Sequence, residues 1–173
     1  AAKTVNFGVI YGKTGFSLAK ELGIPRAEGQ RFIDAYFQLY RGVADYMNRT
    51  VEQARKDRAV FTALGRRREL RDIDSSNFNV RQGAERMARN MPIQGTAADL
   101  LKLAMIRVDH ALRTNDTGAQ MILTVHDELV LEVPENAVDR VRTLVVREME
   151  NAMTLSVPLK VEAGTGQNWA QAH

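Results

Sequence analysis

QMILTVHDELVLEVP, residues 120–134, is the stretch on which the fold turns. Two β-prone apolar runs, 121–125 and 129–133, flank the polar centre His126-Asp127-Glu128, the pattern of an antiparallel hairpin closed by a tight turn. Residues 135–153 then return to helical spacing, with Val138, Val141, Leu144, Val145 and Met149 on one side, and 157–162 read as a final strand. Before the hairpin and its preceding polar turn at 114–118, a long helical stretch reaches back from Arg113 to Ser75 and Ser76, which offer N-caps. Pro92 lies inside that stretch, removes one backbone donor and is expected to kink it.

The earlier part of the chain is mostly helical. Residues 3–11 read as a helix broken by Gly12, Thr14 and Gly15, and 16–22 as a second, ended by Gly23 and Pro25. Pro25 opens a third helix in which Phe32, Ile33, Tyr36 and Phe37 recur at helical spacing, and 43–56 repeat the pattern with Tyr46, Met47 and Val51. Residues 59–64 are short, β-prone and closed by Gly65, and the basic run Arg66, Arg67, Arg68 follows. The fold class is α+β: helices, then a hairpin, a helix and a strand. There is no internal repeat, low-complexity segment or flexible linker, and the boundary placed near residue 80 divides labour between 1–80 and 81–173 more than it marks a hinge.

With 45% hydrophobic and 26% charged residues among 173, the chain has material for a core and falls outside the disordered class. No run approaches the roughly 18–20 apolar residues that span a bilayer. Residues 1–12 carry neither a basic n-region nor a cleavage pattern, so the chain reads as soluble and not secreted. Zero cysteines exclude disulfides, thiolate metal sites and cysteine nucleophiles, leaving any metal to oxygen or histidine ligands. The net charge of +3 hides an asymmetry: residues 1–95 hold 17 Lys and Arg against 10 Asp and Glu, residues 96–173 hold 7 against 11. A basic half beside an acidic half suits one surface for a polyanion and another for a cation, although unevenly charged solvated faces give the same counts.

Three constellations carry chemistry. Lys3, Phe7 and Tyr11 recur every four residues, which puts a cation and two aromatics within roughly 80° on one helix face. Such a stripe can bind a nucleotide, ammonium to phosphate and ring to base or sugar; it can equally be a core face ending in a snorkelling lysine. Arg86, Asn90 and Gln94 share that spacing, arginine suiting phosphate and the carboxamides suiting minor-groove acceptors, or the three form a solvated face. Arg66, Arg67 and Arg68 suit phosphates in the same way. At the hairpin turn, the adjacent carboxylates of Asp127 and Glu128 crowd negative charge that a hard divalent cation such as Mg²⁺ would relieve, unless the turn is simply solvated.

Together these stretches resemble family A DNA polymerases. Lys3-x3-Phe7-Gly8-x2-Tyr11-Gly12 is similar to most of the family's motif B on the fingers helix. Thr62-x2-Gly65-Arg66-Arg67-Arg68 and Ala84-Glu85-Arg86-x3-Asn90-x-Pro92-Ile93-Gln94-Gly95 are similar to its primer- and template-gripping segments. Val125-His126-Asp127-Glu128 is similar to motif C, and Gly166-x-Asn168-Trp169 with a terminal Ala-x-His to the family's C-terminus. The likeness covers the whole chain, with Ser17, Arg41 and Arg71 as departures at turns.

The resemblance implies partial fingers over 1–80, from within the motif B helix, and a palm portion over 81–173 that carries the motif C hairpin, a helix and a final strand. It implies Asp127 as one of two aspartates for two Mg²⁺ ions, with Glu128 beside it and His126 near the primer end. Lys3 meets the triphosphate, Phe7 the nucleotide sugar and Tyr11 the templating position; Arg86, Asn90 and Gln94 follow the duplex. The implied partners are primer-template DNA, dNTP and the N-terminal remainder of a polymerase, with no membrane, in a bacterial cytoplasm, nucleoid-associated, or encoded by a phage. Because the motif B arginine, the motif A aspartate and the thumb would precede Ala1, the 173 residues alone are expected to be inactive and to self-associate through surfaces the rest would cover. Two rivals stand against this: a binding module that has lost chemistry, and a metal-dependent hydrolase built on His126 and Asp127.

Overall fold

A computed structural model describes residues 2–172, with side chains from residue 5 onward. Two compact units divide the chain, Ala1–Thr96 and Ala97–His173. The first holds α1 (Ala2–Ile10), α2 (Gly15–Leu22), α3 (Arg26–Leu39), α4 (Arg41–Asp57), β1 (Ala59–Phe61), β2 (Arg67–Glu69) and the beginning of α5 (Phe78–Thr114). To the second belong the rest of α5, β3 (Gln120–Val125), β4 (Glu128–Glu132), a 3-10 turn at Glu135–Ala137, α6 (Val138–Glu150) and α7 (Trp169–Ala172). Among the described residues no helix is long and apolar enough to cross a membrane.

In the first unit the helices form where apolar spacing predicts them, their ends shifted by a residue or two. α1, α2 and α3 share a core of Val9, Leu18 and Ile33, edged by Val5, Leu22, Tyr36 and Phe37. The Thr14 hydroxyl caps α2 by accepting the Ser17 amide at 3.2 Å, so one of the departures from the family pattern sits in an ordinary capping turn. Helices α2 and α3 meet backbone to backbone: a Cβ on Gly29 would lie 2.4 Å from the Gly15 carbonyl oxygen and 2.9 Å from the Ala19 Cβ. Only glycine fits there.

A second core joins α4, the β1–β2 ribbon and α5 through Val51, Ala54, Val60, Leu70, Ile73, Ala84 and Ala88. The β-prone run pairs with the basic run itself, Ala59 with Glu69, Val60 with Arg68 and Phe61 with Arg67. The cap of α5 is Asn77, whose side-chain oxygen accepts the Asn79 and Val80 amides at 3.0 and 3.4 Å. Ser75 instead accepts the Asn77 amide at 3.2 Å, so the cap predicted at Ser75 and Ser76 falls one residue later. Helix α5 continues through Pro92. The Thr96 hydroxyl donates to the Pro92 carbonyl and accepts the Ala63 amide at 2.9 Å, fastening the β1–β2 loop to the helix.

In the second unit, α5, α6 and the hairpin enclose Val108, Ala111, Leu112, Val141, Leu144 and Val145, with Leu129, Leu131 and Val133 packed against them. Buried Thr117 ties the α5–β3 turn, donating to the Leu112 carbonyl at 3.3 Å and accepting the Ala119 amide at 3.2 Å. The hairpin forms as predicted, in the register Val125 to Glu128 and Met121 to Leu131, with a bulge at Ile122. The mixed class therefore holds, but the final strand at 157–162 does not form. A strand exists only through its ladder, and here the Val161 amide donates to the Glu150 carboxylate at 3.2 Å. α7, unpredicted, is capped by Asn168, whose side chain accepts the Gln171 amide at 3.1 Å.

Gly29→Ala should destabilise the chain by about 1–3 kcal/mol, since the added methyl meets a carbonyl that cannot move without its helix. Gly83→Ala, inside α5 with nothing within 4 Å of the new methyl, should be neutral or stabilising by up to ~1 kcal/mol. Denaturant melts of the two variants against the parent check the pair.

Candidate functional site

Helix α1 has two faces. Val9, 2% exposed, turns inward beside Val5. Phe7 and Tyr11, 48% and 36% exposed, turn outward and stack with ring centroids 6.0 Å apart and planes 17° apart. The stripe predicted from four-residue spacing is thus an open face at these two positions, and its reading as a core face is overturned there. Lys3 belongs to the same helix, but its side chain lies outside the described residues.

The turn after α1 reaches α5. Gly12 has φ +81°, and a Cβ there would stand 3.3 Å from the Arg86 Cγ. The positive φ favours glycine, and the turn that follows Tyr11 lies against the stem of Arg86. On α5, Ala84 and Ala88 are buried. Arg86 and Gln94 are exposed and Asn90 half-buried, the arrangement their spacing predicts. Among the described residues their side chains make no hydrogen bond or ion pair, which leaves their polar atoms open to a ligand.

The basic run is less uniform than its sequence. Arg67 pairs with Glu69 at 2.9 Å, and Arg71 reaches the same carboxylate at 3.3 Å. Hydrogen bonding from Arg67, then from Arg71, holds the Glu69 carboxyl below its ordinary range. The Arg66 amide donates to the Thr62 hydroxyl at 3.1 Å, and a Cβ on Gly95 would come within 2.7 Å of the Thr62 Cγ2, so the loop lies flat on α5. Arg68 stands one residue along β2 from Arg67 and projects to the opposite face.

In the second unit, Val125 pairs with Glu128, leaving His126 and Asp127 as a two-residue turn. Both are exposed and Glu128 is half-buried. His126 has φ +54° and Asp127 is not in the positive region, the φ signs of a II′ turn, whose first position ordinarily takes glycine. Strain of this kind costs about 1–3 kcal/mol and concentrates where a particular side chain is required. Two hard carboxylates side by side fit part of a Mg²⁺ shell. Among the described residues no group of three His, Cys, Asp or Glu could hold a metal.

Sequence reasoning overlooked Arg55. Its guanidinium donates to the Ile73 carbonyl and to Asp74, each at 3.0 Å, and to Glu85 on α5 at 2.5 Å. Arg58 holds the other Asp74 oxygen at 3.0 Å. A lone arginine on an amphipathic helix gives no signal of such a role, because its partners are 18 to 30 residues away.

The pattern of DNA polymerase family A matches residues 1–171. The chain belongs to that family. It is 48% identical over 171 residues to DNA polymerase I of Lactococcus lactis subsp. lactis, covering 99% of this chain and 20% of that protein. To DNA polymerase I of Pseudomonas aeruginosa it is 51% identical over 173 residues, covering 100% of this chain and 19% of that protein. Its structure is similar to the POL domain of Pol1 from M. smegmatis in complex with DNA primer-template and dNTP, with a TM-score of 0.94 and 45% identity over 98% of this chain and 30% of that one. This family A chain spans about a fifth of the length of the curated relatives it matches.

His126→Gly should relieve the turn and raise stability by about 1 kcal/mol, because glycine enters the positive-φ region without penalty. Equilibrium unfolding checks it; a lower midpoint would mean that contacts of the imidazole outweigh the backbone strain.

Proposed function

We propose that the chain serves within a DNA-directed DNA polymerase, supplying part of the fingers over 1–80 and a palm portion over 81–173. The observation that carries this reading is that the residues matching the family's motifs are turned outward. Phe7, Tyr11, Arg86, Gln94, His126 and Asp127 are exposed, while the residues between them build the cores.

In the proposed reaction the primer 3′-hydroxyl oxygen attacks the α-phosphorus of dNTP. A P–O bond forms, the α–β phosphoanhydride breaks, pyrophosphate leaves and the hydroxyl proton passes to solvent. Lys3 offers an ammonium to the triphosphate, and the parallel rings of Phe7 and Tyr11 give sugar and base a flat apolar wall. Arg86 suits backbone phosphate, whereas Asn90 and Gln94 suit minor-groove acceptors shared by all base pairs, a grip indifferent to sequence. Arg66, Arg67 and Arg68 add positive charge for the duplex, Arg67 by giving up Glu69, and exposed His126 would meet the primer end. Asp127 and Glu128 would hold divalent magnesium, which when bound supplies charge neutralisation at the reacting phosphate. Two carboxylates fill only part of two six-oxygen shells, so synthesis calls for ligands from the rest of a polymerase.

In a polymerase carrying this segment, Asp127→Ala should lower kcat at least ~1000-fold, the equivalent of about 4 kcal/mol of transition-state stabilisation, with duplex affinity little changed. Wild-type rates in that variant would remove the hairpin from the site. Lys3→Ala should mainly raise KM for dNTP. Primer extension by the 173 residues alone would overturn the dependence on outside ligands. Duplex binding without any Mg²⁺-dependent synthesis in the longer protein would favour a module that has lost chemistry.

A further inference from the structure

Helix α5 meets its neighbours in the first unit through Ala84 and Ala88, with Met91 at the edge. Methyl groups make a smooth face, so the rotation of α5 is set by contacts at its edges, among them Thr96 to the β1–β2 loop at 2.9 Å. Beside that face stands Glu85, 20% exposed, bridged by the Arg55 guanidinium, which also holds the Ile73 carbonyl and Asp74. On the far side of Glu85, Arg89 approaches its second oxygen at 3.7 Å. The fork therefore joins three separate segments: α4, the 70–74 turn and α5. Arg86 follows Glu85 directly, and Asn90 and Gln94 continue its row.

We infer that Arg55 is a positioning residue for the Arg86, Asn90 and Gln94 row, acting through Glu85 to fix the rotation of α5; this rests on the proposed reading of that row as a duplex contact. A rotation of about 20° would sweep an arginine tip on the order of 2–3 Å, more than a hydrogen bond tolerates. A fork is needed because one planar group must satisfy a carbonyl and two carboxylates at fixed angles, which an ammonium cannot do.

The test measures duplex primer-template affinity and dNTP KM in a polymerase carrying this segment. Arg55→Met should weaken duplex binding about tenfold with dNTP KM unchanged, Arg55→Lys should not restore it, and Glu85→Gln should weaken it in the same direction by roughly threefold. In a background of Arg86→Ala, Asn90→Ala and Gln94→Ala, Arg55→Met should have no further effect, because nothing is left to position. An undiminished loss in that background would mean that Arg55 touches DNA itself or acts through general destabilisation, and either result overturns the inference. So would full duplex affinity in Arg55→Met. Should Arg55→Met not fold, Glu85→Gln carries the same comparison, since it keeps the side chain's shape and removes only the charge. If the triple background itself binds duplex like the parent, the reading of the row fails and the inference fails with it. A triple variant that binds weakly beside an Arg55→Met variant that binds normally sinks the inference alone.

Discussion

The first unit depends on one constraint: α5 must pack closely on one side while carrying long polar side chains on the other. Alanine at positions 84 and 88 answers the first demand, because it lets Val51, Val60, Leu70 and Ile73 come up to the helix backbone. Burial of each of these larger side chains contributes about 1.5–3 kcal/mol, so the stabilisation comes from the neighbours and the helix contributes a surface. Gly95 extends the same device to the β1–β2 loop, which lies so near the helix that a methyl group would strike Thr62. What small residues lack in angular definition, the polar groups along the edge supply.

A different economy governs the second unit. Its core is made of larger aliphatic residues from α5 and α6, and the hairpin rests on it through Leu129, Leu131 and Val133. A two-stranded ribbon is marginal by itself, and this one carries a strained turn as well. Anchoring on the helices is what lets β3 and β4 hold His126 and Asp127 out at the tip. The Asp127 carboxylate is thus displayed by a short turn between paired strands, with Glu128 at the start of β4 beside it, a more exact placement than a loop would give.

Elements written in a single run of residues were legible in the sequence. The first four helices show their apolar spacing, and the hairpin shows two β-prone runs about a polar pair. The open sides of α1 and α5 followed from four-residue spacing, although only the fold could tell whether Phe7 and Tyr11 faced solvent or core. Illegible features were those that need a partner far along the chain. Arg67 and Arg68 read only as a basic run, because charge hides a strand whose mate is Val60 and Phe61. Residues 157–162 look like a strand but pair with no other strand among the described residues. Ser75 and Ser76 are good caps by type, yet Asn77 has the geometry. Arg55 is silent in sequence because its work is done by contacts to Ile73, Asp74 and Glu85.

The short helix α7 holds the chain's single tryptophan, Trp169, about half-exposed. Indole emission from this protein therefore originates wholly in the Ala97–His173 unit and is silent about the other, whereas far-ultraviolet dichroism is dominated by the helices of both. If the units lose structure at different denaturant strengths, the two optical signals will part company, and a single midpoint will not describe the molecule. If the units unfold together, the two curves will superimpose, and one aromatic ring is enough to tell the two cases apart.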